Sequence, residues 1–212
     1  EYAYDFLMFC LRNPQPCPLI DVTEPGDPNP RIAAPGADLR TDVPRYRIWR
    51  NGQLDQEVLD IKDVWQDDMV CFLLGCSFSW DSLLADKGLC PRHVEQKVNV
   101  PMYRTNILNV PSGPFRGNLV VSMRPYKLEH LPELQAICGR YPGAHGAPVH
   151  WDDPSAIGIA DIAHPDYGDA VEIREGEVPV FWACGVTPQS ALVEAKLPLA
   201  VTHSPGHMFV CD

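Results

Sequence analysis

The stretch VPVFWACGVTPQSALVEAK, residues 178–196, indicates an α/β unit. Its first six residues are apolar and predict a buried strand. Thr187 and Pro188 are typical of an N-cap and the first position of a helix. Cys184 and Gly185 lie between the two. The segment therefore predicts a strand, a tight turn and a helix, with Cys184 and Gly185 at the helix N-terminus.

A second segment has the same pattern. FLLGCSFSWDSLLADK (72–87) aligns without a gap with FWACGVTPQSALVEAK (181–196), and each has an aromatic start, an adjacent Gly and Cys, and a helix ending in Lys. If both strands lie in one parallel sheet, both helix N-termini point to the edge where open α/β sheets bind ligands. We therefore predict an α/β fold with a mixed, partly parallel sheet and helices on both faces.

The remaining pattern predicts a second, smaller unit. Two strands joined by a Pro/Gly loop, a helix and a short strand indicate an inserted α+β two-layer unit at 105–150. The main α/β body then comprises 1–104 and 151–212. Within it, we expect the helix and proline-rich loop of 1–45 to wrap the body.

Composition narrows the classes of partner. The chain has 212 residues and a formal net charge of −11, which argues against nucleic acid or an anionic membrane surface. It contains no apolar run of about 18 residues that would predict a membrane span.

Its eight cysteines form no CxxC pair and are typical of reduced thiols, so we predict a cytoplasmic protein. The sequence is compatible with a homodimer and does not decide the oligomeric state. Because Glu1 begins an amphipathic pattern, we expect further residues to precede it.

The two turns suit an anionic ligand. A helix N-terminus carries free N–H groups and a partial positive charge, and two of them side by side suit a ligand with two carboxylates. The sequence has neither GxxxxGK[ST] nor GxGxxG, so we predict no nucleotide and no cofactor. The predicted substrate-binding residues here are Cys76, Ser77, Gly185 and Thr187. The alternative is that both are plain turns in which glycine provides the bend.

Cys184 has two interpretations. A helix N-terminus lowers the pKa of a thiol, which makes Cys184 a candidate catalytic nucleophile. However, no cysteine-hydrolase signature surrounds it, and the chain contains no GxSxG elbow. We favour Cys184 as a residue that packs beside the ligand.

The histidines occur as two pairs, His145 with His150 and His203 with His207. His203 and His207 are four residues apart, but both pairs lie in strand or turn segments and not on a helix as in HExxH, so we predict no metal site. The alternative is a metal centre in which such a histidine pair binds the ion together with an aspartate. The candidate aspartates are Asp152, Asp153 and Asp212. General acid–base catalysis by His203 or His207 is the favoured use, because histidine titrates near neutrality. We assign His150 to substrate binding and expect a structural role for His145.

Arg104 and Arg124 lie among apolar strand residues, in PMYRTN (101–106) and VVSMRP (120–125). An arginine in such a position needs a carboxylate partner, which is either internal or part of a ligand. We predict that Arg124 is catalytic and that Arg104 and Ser122 bind substrate. The alternative is a structural ion pair.

Several motifs are distributed along the whole chain. They are EPGDP, GADLRTDVPRYR, FLLGCSFS, NVPMYRTNI, LVVSMRP, HGAPVH, IGIADIAHPDYGD, VPVFWACGVTPQ and THSPGHMFVCD. Together they resemble the D-glutamate cyclase-like family, whose bacterial members are named hydro-lyases. The resemblance covers almost all 212 residues. Family members usually begin several dozen residues earlier.

The resemblance implies an α/β fold with a smaller inserted α+β part, and the cyclisation of D-glutamate to 5-oxo-D-proline with loss of water. The residue pattern fits this chemistry. Arg104 or Arg124 would hold the α-carboxylate, turn N–H groups would stabilise the oxyanion, and His203 or His207 would move the proton. Two other functions stay open. One is a different hydro-lyase or hydrolase of a small oxo or hydroxy acid, with or without a metal. The other is a non-catalytic protein that binds a small acid.

Overall fold

The computed structural model describes residues 1–211, which form five α-helices, nine β-strands and four short 3₁₀ helices. The α-helices are α1 (Ala3–Arg12), α2 (Phe78–Asp86), α3 (Arg92–Gln96), α4 (Leu131–Cys138) and α5 (Val186–Glu194). The strands are β1 (Leu19–Val22), β2 (Tyr46–Arg50), β3 (Gln53–Val58), β4 (Phe72–Leu74), β5 (Met102–Leu108), β6 (Asn118–Lys127), β7 (His150–Trp151), β8 (Glu177–Ala183) and β9 (Ala200–His203). The prediction that the fold combines α-helices with β-sheets is confirmed.

The strands form three antiparallel sheets. The largest has the order β5-β6-β8-β7, a second has the order β3-β2-β9, and β1 pairs with β4 in a two-stranded ribbon. The β2–β3 hairpin turns at Asn51 and Gly52, which both have positive φ, at 52° and 77°, as a two-residue hairpin loop requires.

The prediction of a partly parallel sheet is wrong for the described residues, because every strand pair among them is antiparallel. The two similar strands also lie in different sheets, β4 beside β1 and β8 between β6 and β7. The apolar run of β8 correctly indicated burial on both faces, which is usual in parallel sheets. In this fold, antiparallel β8 is covered by helices on one face and by connecting segments on the other.

The alternation of side chains along β6 separates two cores. Tyr126 on β6 and Trp182 on β8 pack with Trp80 and Leu84 of α2 on one face. Val121, Met123 and Phe181 occupy the other face, against isoleucines of the connecting segment 157–162. The face that carries Tyr126 also carries Ser122 and Arg124, so this side of the sheet is where polar groups are buried.

The proposed division of the chain at 104/105 and 150/151 stays a prediction. The four-stranded sheet takes β6 from within 105–150 and β8 from the segment that follows it. Within residues 1–211, the structure contains no helix with the length and apolar character needed to cross a membrane.

Candidate functional site

Two cap turns begin the helices α2 and α5. Cys76 and Ser77 precede α2, whereas Cys184 and Gly185 precede α5. The backbone N–H of Phe78 acts to lower the pKa of the Cys76 thiol, and the N–H groups of Gly185 and Val186 act to lower that of Cys184. The N-cap residues themselves, Ser77 and Gly185, make no side-chain capping bond, so each thiol is the polar side-chain atom that precedes its helix. The local similarity between the two segments survives, although their strands do not share a sheet.

His145 joins the two cap turns. Its Nδ1 lies 2.8 Å from the Gln15 carbonyl oxygen, and its ring also lies close to the backbone of Gly75. A Cβ built on Gly185 would lie 3.8 Å from His145 Nε2, so the ring also touches the second turn. Burial lowers the pKa of His145 to about 4, which keeps the imidazole neutral. The predicted structural role of His145 fits these contacts.

Burial also governs the two thiols. Burial, with a smaller contribution from the neighbouring Cys76, raises the pKa of Cys184 to about 11. Burial raises the pKa of Cys76 as well, although the N–H of Phe78 and the charge of Arg124 act against it. At neutral pH both groups are thiols and not thiolates, which supports packing rather than nucleophilic attack.

Arg124 is buried completely, on the face of β6 that faces α2. Its guanidinium carbon lies 4.5 Å from the ring centre of Trp80 and 5.4 Å from that of Trp182. Arg124 Nε donates to Asp81 Oδ1 over 3.1 Å, and Nη2 lies 3.0 Å from the same oxygen. The internal ion pair that the sequence left as an alternative is therefore present, and Asp81 is the carboxylate.

Arg124 also donates to two hydroxyl groups. Nη1 lies 3.1 Å from Ser122 Oγ, and Nη2 lies 3.2 Å from Ser77 Oγ. Ser122 is fully buried and Ser77 is 5% exposed. The guanidinium thus connects the first cap turn to β6, and it brings together three of the residues that the sequence assigned to the site.

Arg104 is exposed and lies elsewhere. Its Nε donates to the hydroxyl of Tyr167 over 3.0 Å, and its guanidinium lies over that ring. The hydrogen bond to Tyr167 raises the pKa of Arg104. Arg104 pairs with Val120 across the sheet, and Val120 is four residues from Arg124, or about 13 Å along the strand. The structure does not bring the two arginines together.

His150 faces away from the buried polar groups. It lies directly opposite Phe181 in the register of β7 and β8, and cross-strand partners share one face of a sheet. Its ring stacks on Phe181, and its Nε2 lies 2.7 Å from the Asp153 carbonyl oxygen. His150 therefore lies on the face of the sheet opposite Arg124.

Thr187 joins α5 to β6. The helix begins at Val186, so Thr187 lies in its first turn and is not the N-cap that the sequence predicts. Its hydroxyl accepts from the Val120 N–H over 2.9 Å and donates to the Val120 carbonyl over 3.2 Å. The Thr187 hydroxyl therefore both donates and accepts within the protein, so its contacts are structural.

His203 lies beside the first turn of α5. Its Nε2 is 2.9 Å from Gln189 Nε2, and its Nδ1 is 2.8 Å from the Ser204 carbonyl oxygen. Because a carbonyl only accepts, we assign the proton to Nδ1, and Nε2 then accepts from the Gln189 amide. Burial lowers the pKa of His203.

His207 differs from His203 at one nitrogen. Its Nδ1 lies 2.9 Å from the Pro205 carbonyl oxygen, which places the proton on Nδ1. Within residues 1–211 its Nε2 has no hydrogen-bond partner. Among residues 1–211, nothing therefore occupies the Nε2 lone pair of His207, whereas Gln189 occupies that of His203.

Asp81 and His93 were not predicted as part of the site. Asp81 is 8% exposed and accepts from Arg124, and His93 Nε2 lies 3.2 Å from its second oxygen. In the sequence, Asp81 stands out only as an acidic residue in the first turn of a predicted helix. Such a residue normally indicates no more than a favourable interaction with the helix dipole.

The described part of the chain contains no group of three or more His, Cys, Asp or Glu side chains arranged to hold a metal ion. Asp152 and Asp153 are exposed, and Asp212 lies outside the described residues.

Comparison with known proteins relates the chain to one family. A family model described as D-glutamate cyclase matches residues 70–212. A protein of Stutzerimonas stutzeri named "Putative hydro-lyase" is 59% identical over 212 residues, which cover 100% of this chain and 80% of the relative. A protein of the same name from Rubrobacter xylanophilus is 60% identical over 212 residues, with 100% of this chain and 82% of the relative covered.

Proposed function

The chain belongs to the D-glutamate cyclase family, and from that premise we propose that it is a hydro-lyase that converts D-glutamate to 5-oxo-D-proline and water. In this reaction the α-ammonium loses a proton and the amine nitrogen attacks the carbon of the side-chain carboxyl group. A C–N bond forms, a C–O bond breaks, and the oxygen leaves as water after taking up protons. Holding amine and carboxyl in reach of each other lowers the entropic barrier to ring closure.

The observation that carries the proposal is the group of donors around the first cap turn. Arginine donates hydrogen bonds and cannot accept them, so Ser77 Oγ and Ser122 Oγ are the acceptors in their bonds to Arg124. Ser122 therefore keeps its own O–H hydrogen for another acceptor, and the Ser77 hydroxyl lies beside the Cys76 thiol, where it acts to lower the pKa of that thiol. Donors that are fixed before the substrate arrives suit a carboxylate and the oxyanion that forms from it.

The two helix N-termini add to this positive potential. Cys76, Cys184, Gly185 and Val186 are half-buried, so the turns are partly accessible, whereas Arg124 is not. We infer that substrate carboxylates are bound by hydroxyl and backbone donors of the turns, and that Arg124 acts through the serines.

For the proton transfer we propose His207 rather than His203. Among the described residues no donor binds the His207 Nε2 lone pair, which is therefore available to accept a proton, whereas Gln189 donates to the Nε2 of His203. His203 lies beside α5 at Gln189, and His207 follows it in the same turn. In this proposal His207 is the base, and His203 stabilises the first turn of α5 through Gln189.

The test is to incubate the purified protein with a panel of amino and hydroxy acids and to detect loss of one water by mass spectrometry. We expect D-glutamate to give 5-oxo-D-proline, with L-glutamate as the stereochemical control. Turnover of only a hydroxy or oxo acid would reassign the substrate. Saturable binding without turnover would show a binding protein instead of an enzyme.

Two variants test the assigned roles. His207→Gln should lower kcat by about 10²–10⁴-fold, which is the usual contribution of a general base. His164→Gln is the matched control, because His164 is 84% exposed and pairs with Asp161 on the surface. Equal activity of the His207→Gln variant and the wild type would rule out His207 as the base.

A further inference from the structure

We propose that Asp81 is a positioning residue, which orients Arg124 and, through Arg124, fixes Ser77 at the first cap turn where the substrate binds. The proposal rests on the proposed function for its substrate. Asp81 lies one helical turn after Ser77, so both belong to the same side of the start of α2. Its carboxylate is the negative partner of a guanidinium that is fully buried.

The geometry makes Asp81 the residue that fixes the plane of the guanidinium. Asp81 Oδ1 accepts from Arg124 Nε at 3.1 Å, and Oδ2 lies 3.4 Å from Nη2. Contact along one edge of the fork sets the orientation of its other N–H groups. Those groups are the ones that bond to Ser122 and Ser77. The two tryptophan rings beside Arg124 restrict it further but supply no acceptor that would select one orientation.

Charge explains why a carboxylate is required at this position. Arg124 lies beside the N-terminus of α2, where the helix dipole is also positive. Without Asp81, the buried cation would itself attract the substrate carboxylate and draw it away from the first cap turn. With Asp81 in place, the local charge is compensated, and binding depends on directed hydroxyl and backbone donors.

His93 holds the other side of the carboxylate. Its Nε2 lies 3.2 Å from Asp81 Oδ2, and its ring stacks on Phe78. Asp81 therefore has contacts on both oxygens, one from β6 and one from α3. A carboxylate held from two elements is a rigid support for the guanidinium that it orients.

A double-mutant cycle tests whether Asp81 acts through the serines. We expect Asp81→Asn to lower kcat about 30-fold with less than a threefold change in KM, because the lost alignment matters most for the developing oxyanion. In the Ser77→Ala/Ser122→Ala background the same substitution should lower kcat less than threefold. Equal effects in both backgrounds would overturn the proposal. Asp81→Glu keeps the charge but moves the carboxylate, so it should fold and still lose activity; wild-type activity would also overturn the proposal.

The matched control is Glu177→Gln, which weakens a different buried ion pair. Glu177 Oε1 lies 2.6 Å from Arg92 Nη2, and Arg92 is 6% exposed at its side chain. We expect this variant to lower thermal stability and to retain wild-type kcat. A matching loss of kcat in Glu177→Gln would show that Asp81 affects activity only through stability.

A second measurement does not need turnover. In the NMR spectrum of the ¹⁵N-labelled wild type, the Arg124 Nε–H resonance, assigned by its loss in Arg124→Lys, should be narrow and slow to exchange with solvent. It should broaden or exchange at least tenfold faster in Asp81→Asn and remain sharp in Glu177→Gln. If the wild type turns over no acid of the panel, the proposed function fails, and this signal still decides whether Asp81 fixes Arg124. An unchanged signal in Asp81→Asn would overturn the positioning role.

Discussion

Arg124 donates from Nε to Asp81 Oδ1 over 3.1 Å, and both residues are buried beneath the four-stranded sheet. An arginine in an apolar strand was expected to bind either a ligand carboxylate or an internal one. The internal carboxylate is present, and it comes from the helix that follows the first cap turn. Arg124 therefore influences the turn through hydrogen bonds to Ser77 and Ser122.

The ion pair predicts an asymmetric response to substitution. Arg124→Met should lower the free energy of unfolding by about 3–5 kcal/mol, because it leaves the buried Asp81 without its cation. Replacing both residues, in Arg124→Met/Asp81→Leu, should recover most of that loss. Urea unfolding followed by tryptophan fluorescence measures both effects, since Trp80 and Trp182 flank the pair. A single variant within about 1 kcal/mol of wild type would contradict the interpretation.

Close backbone packing predicts a requirement for glycine at one turn. A Cβ on Gly75 would lie 1.6 Å from the Gly143 carbonyl oxygen, so Gly75→Ala must displace the backbone. We expect a loss of stability of about 1–3 kcal/mol or more, together with lower activity. Gly143→Ala is the matched control, because a Cβ there meets nothing within 4 Å. Thermal unfolding should separate the two variants, and equal melting temperatures would argue against the packing.

Local parts of the fold could be predicted from the sequence. Asn51 and Gly52 specify their hairpin turn by themselves, because both tolerate positive φ. The direction of pairing could not be predicted. The apolar run of β8 reports burial on both faces, but the pairing partner is set by contacts with β6 and β7, which are distant in sequence. The similar start of α2 after β4 is a local capping feature that does not require a shared sheet.

The relative positions of site residues could be predicted only where the residues lie on one strand or in one turn. Ser122 and Arg124 are two residues apart on β6, so period-two alternation places them on one face. The position of His150 depends on the register with β8, which the sequence does not reveal. Asp81 was missed because an acid in the first turn of a helix is common, and its contact with Arg124 joins residues 43 positions apart.

The position of Cys184 at the second cap turn predicts that it can be replaced by serine. Serine is of similar size and keeps a polar atom beside the N–H groups of Gly185 and Val186, so Cys184→Ser should retain most activity. Cys184→Val removes that polar atom and should cost about 1 kcal/mol of stability. Burial raises the pKa of the Cys184 thiol to about 11, so iodoacetamide should not modify it in the folded protein at neutral pH. Rapid alkylation of Cys184, with loss of activity in Cys184→Ser by orders of magnitude, would restore the nucleophile interpretation.

Burial of His145 predicts how stability depends on pH. Its pKa is lowered from 6.5 to about 4 in the folded protein, so the unfolded chain binds a proton first as the pH falls. Stability from this group is fully present above pH 6.5 and is lost as the pH falls towards 4, by about 3 kcal/mol in total. His145→Asn should reduce this loss, because asparagine tolerates the φ of 72° and can still donate to Gln15. The exposed His164→Asn variant is the control and should follow the wild type. Urea unfolding across this pH range measures the difference, and parallel curves for His145→Asn and the wild type would show that His145 is not buried in its neutral form.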